Sequence, residues 1–531
     1  MKKFMFSILP ALLLAFVSCM NTSQGSEGGS VRVVLPSSSR EIYSSGHGDV
    51  DSFTVRLLLG EKIIKEETIS KESADTGGAI VFDELEPATY TVEAEGWITS
   101  KDVLLYFGSE EAKVTAGQDT DCQVNLKKDC QIYNNTADTE ELKTACESDG
   151  NAYIFMGGNS SVSTNQATQA NNYQLANITS GTKIIRGNGG KVQESTDDNK
   201  ILATEGGQIK LFNVTGSSTI LEINNLTFTA ASSKIVGTSS STLDGALICV
   251  DDGATVILKQ CYINGIYMSN KGTSLIYVKS GGKLILENCT FYGNESTGTI
   301  TTTYSSYTEC IRIENGGDVE VISCNFEGNG KYALNIVNAA AINNSGVCHI
   351  IDTTLKSNKA QHGGAIINGN AGILKIEDST FDSNESVNGD YEKRGGAIFI
   401  QGGIVQIKNS TFTSNTTLGE QGSSDTESIQ KLGGGAISIK TGSLVLQNTR
   451  FENNSVTSTD SNDAYGYGGA VLMEQSDASL LLKDASGAAM DITIYIQMYM
   501  NGNTTAKADA GANIYCNGGT INGSVYTQAW E

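Results

Sequence analysis

A repeated unit in the second half of the chain constrains the fold more than any other feature. One copy, 281–294, reads GGKLILENCTFYGN: a glycine pair, alternating aliphatic residues, a phenylalanine and, three residues later, an asparagine. Related copies occupy 316–329, 372–384, 402–415 and 442–454, and looser ones end at 262–265 and 355–358. The phenylalanine position, or the Tyr262 or Leu355 that replaces it, recurs every 26 to 39 residues. A fixed core with variable insertions predicts a solenoid whose loops leave one side.

The unit fits one coil of a right-handed parallel β-helix. Alternating residues such as Leu284 and Leu286 would point inward, and the glycine pair would permit a tight bend where Cβ atoms crowd. The phenylalanines would fill the interior, and the asparagines would turn the chain and form a ladder with their equivalents one coil away. These residues are Phe291, Asn294, Phe326, Asn329, Phe381, Asn384, Phe412, Asn415, Phe451 and Asn454.

Proline usage supports stacked strands. Only 3 of the 531 residues are Pro against 59 Gly, and no Pro follows Pro87. Because proline cannot donate to a strand ladder, its absence is what stacked parallel strands require. We therefore predict an all-β chain in which residues 128–531 form the β-helix with its end caps.

A second motif, Gly-Gly-Ala followed by Ile or Val, lies between the phenylalanine units. Its four glycine pairs are Gly363-Gly364, Gly395-Gly396, Gly434-Gly435 and Gly468-Gly469. Its alternation with F-x-x-N resembles the polymorphic outer-membrane protein repeats of chlamydiae and related envelope proteins, clearly over 355–475 and more loosely back to 244. The resemblance implies a β-helical surface protein implicated in host-cell adhesion. Coil packing needs the same two motifs, so a purely structural role stays open.

The N-terminus predicts export and a lipid anchor. Residues 1–18 combine Lys2 and Lys3 with an apolar stretch too short to span a bilayer, as in a signal peptide. The segment 16–19, Phe-Val-Ser-Cys, resembles the bacterial lipobox, which implies lipid attachment at Cys19; an ordinary secretory signal is the alternative. Residues 19–30 would be a flexible tether. Members of the repeat family end in a membrane β-barrel, whereas the repeats here end near 475, so we expect the lipid to replace the barrel at the outer membrane.

Residues 31–127 follow a different pattern, with apolar and polar residues alternating as in strands of a half-buried sheet. The run 82–92, FDELEPATYTV, resembles the F-x-x-L-x-P-x-x-Y-x-V signature of prealbumin-like and carboxypeptidase-regulatory-like β-sandwiches, so we predict a small β-sandwich that acts as a spacer; a ligand-binding sandwich is the alternative. After it, Asp138 could cap a short helix with Leu142, Ala145 and Cys146 on one face. Such a helix would cover the open end of the first coil.

Composition excludes several kinds of chemistry. A formal net charge of −23 should repel nucleic acid and anionic membrane surfaces. The three His residues lie far apart, and we expect no catalytic residue, metal or cofactor. The Asp251-Asp252 pair is interpreted as a turn, and Arg394 as a solvated turn residue beside Asp390 and Glu392.

Eleven cysteines in an exported chain suggest an oxidising compartment. Ten remain once Cys19 is lipidated, so full pairing is arithmetically possible. Cys289 and Cys324 occupy equivalent positions in successive coils, with Cys261 nearby, and the sequence favours neither buried thiols nor a bridge between coils.

The leading functional hypothesis is a lipid-anchored surface adhesin or envelope interaction protein that contacts a host-cell surface, matrix protein or glycan. The first alternative is a polysaccharide-active enzyme, such as a pectate-lyase-like lyase or a glycoside hydrolase. The second is a structural coat protein with no specific ligand.

Overall fold

The computed structural model describes residues 28–35, 52–60, 62–75, 78–98, 103–124, 126, 131–134, 139–155, 161–163, 172–187, 200–203, 208–230, 235–236, 245–268, 274–296, 309–330, 339–387, 393–419, 433–458, 466–505 and 511–530. The chain divides into two compact units between Asp129 and Cys130. Residues 1–27, including the predicted signal, Cys19 and most of the tether, lie outside the described residues.

The first unit contains two sheets. Its elements are β1 (Gly29–Val34), β2 (Ser52–Leu59), β3 (Lys62–Ser70), α1 (Lys71–Asp75), β4 (Ile80–Leu85), β5 (Thr89–Ile98), β6 (Val103–Lys113) and β7 (Asp119–Gln123). The strand orders are β4-β1-β7 and β3-β2-β5-β6. Phe82 and Leu85 on one sheet, and Tyr90 and Val92 on the other, are at most 3% exposed. Both sheets therefore bury alternate residues, as the predicted sandwich requires.

Three parallel ladders build the second unit. Ladder A contains Asn172–Ile178, Gln208–Val214, Gly245–Val250, Ser274–Val278, Ile311–Ile313, Ile342–Asn344, Ile366–Asn368, Ile398–Ile400, Ile437–Ile439, Val471–Met473 and Ile514–Ile521. Ladder B contains Gln131–Asn134, Ala152–Phe155, Thr182–Arg186, Ile220–Asn224, Thr255–Lys259, Lys283–Glu287, Asp318–Ile322, Val347–Ile351, Ile373–Glu377, Ile404–Lys408, Gly442–Gln447 and Ala478–Lys483. Ladder C contains Ser161–Ser163, Lys200–Ala203, Thr227–Ala230, Tyr262–Asn264, Thr290–Tyr292, Asn325–Glu327, Thr354–Lys356, Thr380–Asp382, Thr411–Thr413, Arg450–Glu452 and Met500–Asn501.

Most coils pass through ladders A, B and C in turn and then through a short strand, whereas the coils of Ser161–Ser163, Lys200–Ala203 and Asn325–Glu327 have no short strand among the described residues. The short strands are Ile235–Val236, Tyr267–Met268, Glu295–Ser296, Lys359–Ala360, Glu385–Ser386, Thr416–Gly419, Ser455–Ser458 and Thr504–Thr505. Every strand pairs in parallel with its equivalent in the neighbouring coil, for example Phe381 with Phe412. The predicted parallel β-helix is thereby confirmed.

Two left-handed residues make the sharp corners of a coil. In one coil Asp378 (φ 52°) separates ladder B from ladder C, and Ser383 (φ 55°) separates ladder C from the short strand. Asn, Asp and Gly recur at these corners because they tolerate positive φ best. Because each corner has a single left-handed residue, side chains on both sides of it still face the interior. Ile376 before the corner and Phe381 after it are both 0% exposed.

Additional elements cover both ends of the core. At the first coils, α2 (Thr139–Glu147) buries Leu142, Ala145 and Cys146 completely, which confirms the predicted helix; Asp138 lies outside the described residues. At the last coils, α3 (Ile492–Tyr499) is capped by Asp491 and buries Tyr495, whose hydroxyl donates to the Thr449 carbonyl at 3.0 Å. The strand Ile514–Ile521 continues both ladder A and ladder B, and β8 (Ser524–Trp530) pairs antiparallel with it.

Candidate functional site

The phenylalanines of the repeat form an internal column. Phe291, Phe326, Phe381, Phe412 and Phe451 are all 0% exposed. The rings of Phe381 and Phe412 stack with centroids 4.5 Å apart, and those of Phe412 and Phe451 are 4.9 Å apart. Leu355 stands between Phe326 and Phe381 and is equally buried. These residues are therefore out of reach of any partner.

The asparagines form a buried ladder beside that column. Each Nδ2 donates to the Oδ1 of the next coil's asparagine, at 2.9–3.0 Å, through Asn294, Asn329, Asn358, Asn384, Asn415, Asn454 and Asn503. The same Oδ1 accepts from the backbone N–H one coil earlier, as from Asn358 to Asn384 at 3.1 Å. The other Nδ2 hydrogen of each asparagine is donated to a backbone carbonyl of ladder C, as from the Asn384 Nδ2 to the Leu355 carbonyl at 2.8 Å. The asparagines satisfy polar groups at a corner from which water is excluded.

The Gly-Gly-Ala motifs close the coil at the start of ladder A. The first glycine has positive φ in all four copies: Gly363 (55°), Gly395 (64°), Gly434 (68°) and Gly468 (65°). The second glycine lies where two backbones meet. A Cβ on Gly396 would lie 2.0 Å from the Gly435 carbonyl oxygen and 2.7 Å from the Thr416 nitrogen. The next residue, Ala397 in this copy, points into the core and is 0% exposed.

Further copies of this turn escape the sequence pattern. The segment 511–514, Gly-Ala-Asn-Ile, begins with Gly511 at φ 71° and pairs with the copy at Gly468 and Gly469. Ala341 and Cys310 take the place of the motif alanine in two earlier coils, and both are fully buried. These copies share only an Ile after the position of the motif alanine, which holds Cys310, Ala341 or Asn513, and that signal is too weak to identify in a single sequence.

Both repeat motifs are therefore packing devices, and a partner could contact only the outer faces and the loops. The outer faces of ladders B and C carry mixed charges that pair between coils. Ion pairs join Lys283 to Glu320 at 3.6 Å and Lys356 to Asp382 at 3.7 Å, and the His349 Nε2 lies 3.4 Å from a Glu377 carboxylate oxygen. Surface pairs of this kind stabilise little individually. Three aliphatic side chains in register, Val347, Ile373 and Ile404, are 42–47% exposed.

The outer face of ladder A is covered and holds buried charge. Glu309 is 0% exposed, and burial raises the pKa of its carboxyl to about 7 although Arg312 lies nearby. Its Oε1 lies 3.8 Å from the Arg312 Nε and 3.4 Å from the Asn343 Nδ2, and its Oε2 has no hydrogen-bond partner. The Arg312 guanidinium lies 5.7 Å from the centroid of the Tyr277 ring, a cation–π distance. Burial raises the pKa of Tyr277 to about 12, with a contribution from Glu314.

A second buried pair lies farther along the same face. Both carboxylate oxygens of Glu474 accept from the Arg394 Nε at 2.9 Å, and Glu474 also accepts from the Ser438 hydroxyl. The side chains of Arg394 and Glu474 are 11% and 1% exposed. The solvated turn predicted for Arg394 is therefore wrong, because the arginine reaches a carboxylate 80 residues away in the sequence. Asp390 and Glu392 lie outside the described residues.

His362 lies beside this pair, with its ring 5.5 Å from that of Phe399. Burial lowers the pKa of His362 to about 3, with contributions from the charges of Arg394 and Lys440, so the ring is neutral at physiological pH. Its Nδ1 has no hydrogen-bond partner. Asp252 has φ 50° and forms the predicted turn, where Asp251 pairs with Lys279 at 3.4 Å.

The cysteines that the structure describes are free thiols rather than bridges. All nine that the structure describes are free and buried, so the full pairing considered from the sequence is wrong for them; Cys19 and Cys130 lie outside the described residues. Cys289 and Cys324 are stacked in register, with the Cys289 N–H 3.4 Å from the Cys324 Sγ. Burial raises the pKa of the Cys289 thiol, which lowers its nucleophilicity. Hydroxyl side chains continue the column at Thr353, Ser379, Ser410 and Thr449.

Within the described ranges, no group of three or more His, Cys, Asp or Glu side chains is arranged to hold a metal ion. Of the helices described, none is both long enough and apolar enough to cross a membrane. No protein-family model matches the chain, and neither does any curated protein or solved structure.

Proposed function

We propose that the protein is a lipid-anchored surface interaction protein of a bacterial envelope, related to the polymorphic outer-membrane protein repeats and acting as an adhesin. The lipid on Cys19 would hold it at the outer membrane, and the sandwich would separate the solenoid from that anchor. The observation that carries the proposal is that the residues of both repeat motifs are buried and pack inside the coils. The larger differences between coils therefore lie in the segments that link one coil to the next, and recognition by loops on a rigid scaffold uses such an arrangement.

Five segments of the chain link successive coils. The segments 297–308, 331–338, 388–392, 420–432 and 459–465 all join the end of one coil to ladder A of the next. Their lengths differ while the ladders keep register, so each can change without disturbing the core. The segments 388–392, 420–432 and 459–465 contain seven Asp or Glu residues and one Lys. This composition favours a partner that presents basic groups, such as a cationic patch on a host-cell or matrix protein.

Charge neutralisation tests this assignment without removing any loop. The purified chain would be titrated onto epithelial cells and immobilised matrix proteins, alongside a triple variant with E420Q, D425N and E427Q. A matched control variant carries E327Q, D382N and E452Q on the outer face of ladder C. We expect the loop variant alone to bind several-fold more weakly and with less dependence on salt, because its rim charges steer association. Equal binding by all three proteins would count against a role for these segments in contacting the partner.

The anchor and the enzymatic alternative have separate tests. C19S should release the protein from the membrane fraction, and protease added to intact cells should cut the parental protein if it faces outward. Unsaturated or reducing ends released from pectin or other uronates by the purified chain would overturn the proposal in favour of a polysaccharide-active enzyme.

A further inference from the structure

The last strand of the solenoid has an open edge. Strand β8 pairs with Ile514–Ile521 through the register Ile514↔Trp530 to Ile521↔Ser524, and its other edge has no strand partner among the described residues. Ladder C ends at the same coils with only two residues, Met500–Asn501. Strand β8 is therefore the longest open edge at this end of the described solenoid. A row of unpaired N–H and C=O groups of this kind is a template for another strand.

This edge lacks the usual protection against pairing. Its sequence, SVYTQAW, has no charge and no proline, and residues 511–530 contain no charged side chain, although 18% of the whole chain is charged. Lysine and proline are the common means of blocking an edge strand. Val525 is 71% exposed, and α3 at the same end exposes Ile494 at 49% and Met498 at 58%. Residues 511–530 are thus uncharged, and together with α3 they expose apolar side chains at this end of the solenoid.

The strand is also held rigid. Tyr526 and Trp530 pack against the core and against each other, with ring centroids 5.2 Å apart. The Cys516 thiol donates to the Tyr526 carbonyl at 3.3 Å, and the Asn513 N–H donates to the Trp530 carbonyl at 3.1 Å. Because the strand is already ordered, pairing would cost little conformational entropy.

We propose that β8 pairs antiparallel with β8 of a second copy, which joins two solenoids end to end. Antiparallel pairing of identical strands has a two-fold axis, so one copy supplies both halves of the contact. An axis at Thr527 would place Thr527 opposite its own equivalent and Val525 opposite Ala529 of the second copy. No like charges meet in this register, despite the net charge of −23. A different protein would need a matching strand of its own, whereas the second copy carries one already.

Charge substitution at the axis gives a sharp test. The full chain, T527K, T527E and the control T527S would be compared by sedimentation velocity over micromolar concentrations, with circular dichroism to verify folding. All carry the same residues 1–19, so association through that segment is equal in each. We expect the parental chain and T527S to show twice the monomer mass, and T527K and T527E each to show half of that because like charges then face each other.

Mixing T527K with T527E should restore the doubled mass, since opposite charges then meet at the axis. A parental chain that stays monomeric would overturn the proposal. So would T527K and T527E variants that both remain dimeric, or a mixture that stays monomeric although both proteins are folded. The proposed adhesive function does not depend on this result.

Discussion

Replacing Asn384 by Ala probes the asparagine ladder at its centre. The Asn384 side chain takes part in four hydrogen bonds: its Nδ2 donates to Leu355 O (2.8 Å) and to Asn415 Oδ1 (2.9 Å), and its Oδ1 accepts from the N–H (3.1 Å) and Nδ2 (2.9 Å) of Asn358. In N384A the Asn358 Nδ2 keeps Phe326 O as acceptor and the Asn415 Oδ1 keeps the residue 384 N–H. The Asn358 N–H loses its acceptor, and the Leu355 carbonyl loses a donor.

Water cannot easily replace these bonds, because Asn358 and Asn384 are both 0% exposed. Each unsatisfied buried group costs about 1–3 kcal/mol, so N384A should lower the stability of these coils by about 2–6 kcal/mol. The matched control is Asn501→Ala, at an exposed asparagine, for which we expect a change within about 0.5 kcal/mol.

Amide hydrogen exchange measures the effect where it arises. A loss of about 2 kcal/mol corresponds to roughly thirtyfold faster exchange in peptides that cover Asn358, provided that exchange follows local opening. If the Asn358 amide stays as protected in N384A as in the parental protein, and the free energy of unfolding changes by less than about 0.5 kcal/mol, the ladder does not have the energetic role assigned to it.

Three further substitutions test other parts of the solenoid. Phe381→Ala should lower the free energy of unfolding by about 3–5 kcal/mol in a denaturant titration, because Phe381 is 0% exposed. The control Tyr292→Ala, at a residue 49% exposed, should lower it far less. A loss below about 1 kcal/mol for F381A would contradict the coil register. Burial raises the pKa of Glu309 from 4.5 to about 7 in the folded state, so the folded protein binds more protons than the unfolded chain across this range. Its free energy of unfolding should therefore fall by about 3 kcal/mol as pH rises from about 4.5 to 7. Melting temperatures of E309Q should lack this slope, and an unchanged slope would refute the assignment. Lys183→Met removes a buried ammonium that donates to the Ser148 carbonyl at 2.6 Å and to the Gly150 carbonyl. Amide hydrogen exchange in 139–155 should then accelerate by an amount equivalent to about 1–3 kcal/mol. Unaltered protection would show that α2 does not depend on this contact.

The sequence alone predicts the parts of the fold that depend on local periodicity. Alternation in Ile373–Glu377 and the spacing from Phe381 to Asn384 fix which residues point inward, since each inward position repeats once per coil. The cap helix was predictable for the same reason, because Leu142, Ala145 and Cys146 share one face.

Contacts between coils were much harder to predict. Arg394 and Glu474 are joined across loops of unequal length, so no spacing rule connects them in the sequence. The turn at 511–514 was missed because only the first glycine of its motif remains, and the second has become Ala512. Glu309 was missed because it has no signal beyond a charged residue next to a cysteine, and burial alone makes it unusual.

The asparagine ladder also has a direction. Every Nδ2 from Asn294 to Asn454 donates toward the C-terminal neighbour, and the chain of bonds ends when Asn503 donates to Asn513 at 3.0 Å. Each coil thus presents an acceptor on one side and a donor on the other. Duplication of a whole coil would insert one more asparagine, which would accept from the coil before it and donate to the coil after it. The two end caps would stay unaltered. Duplication or deletion of a whole coil could therefore lengthen or shorten the solenoid in steps of about 4.8 Å.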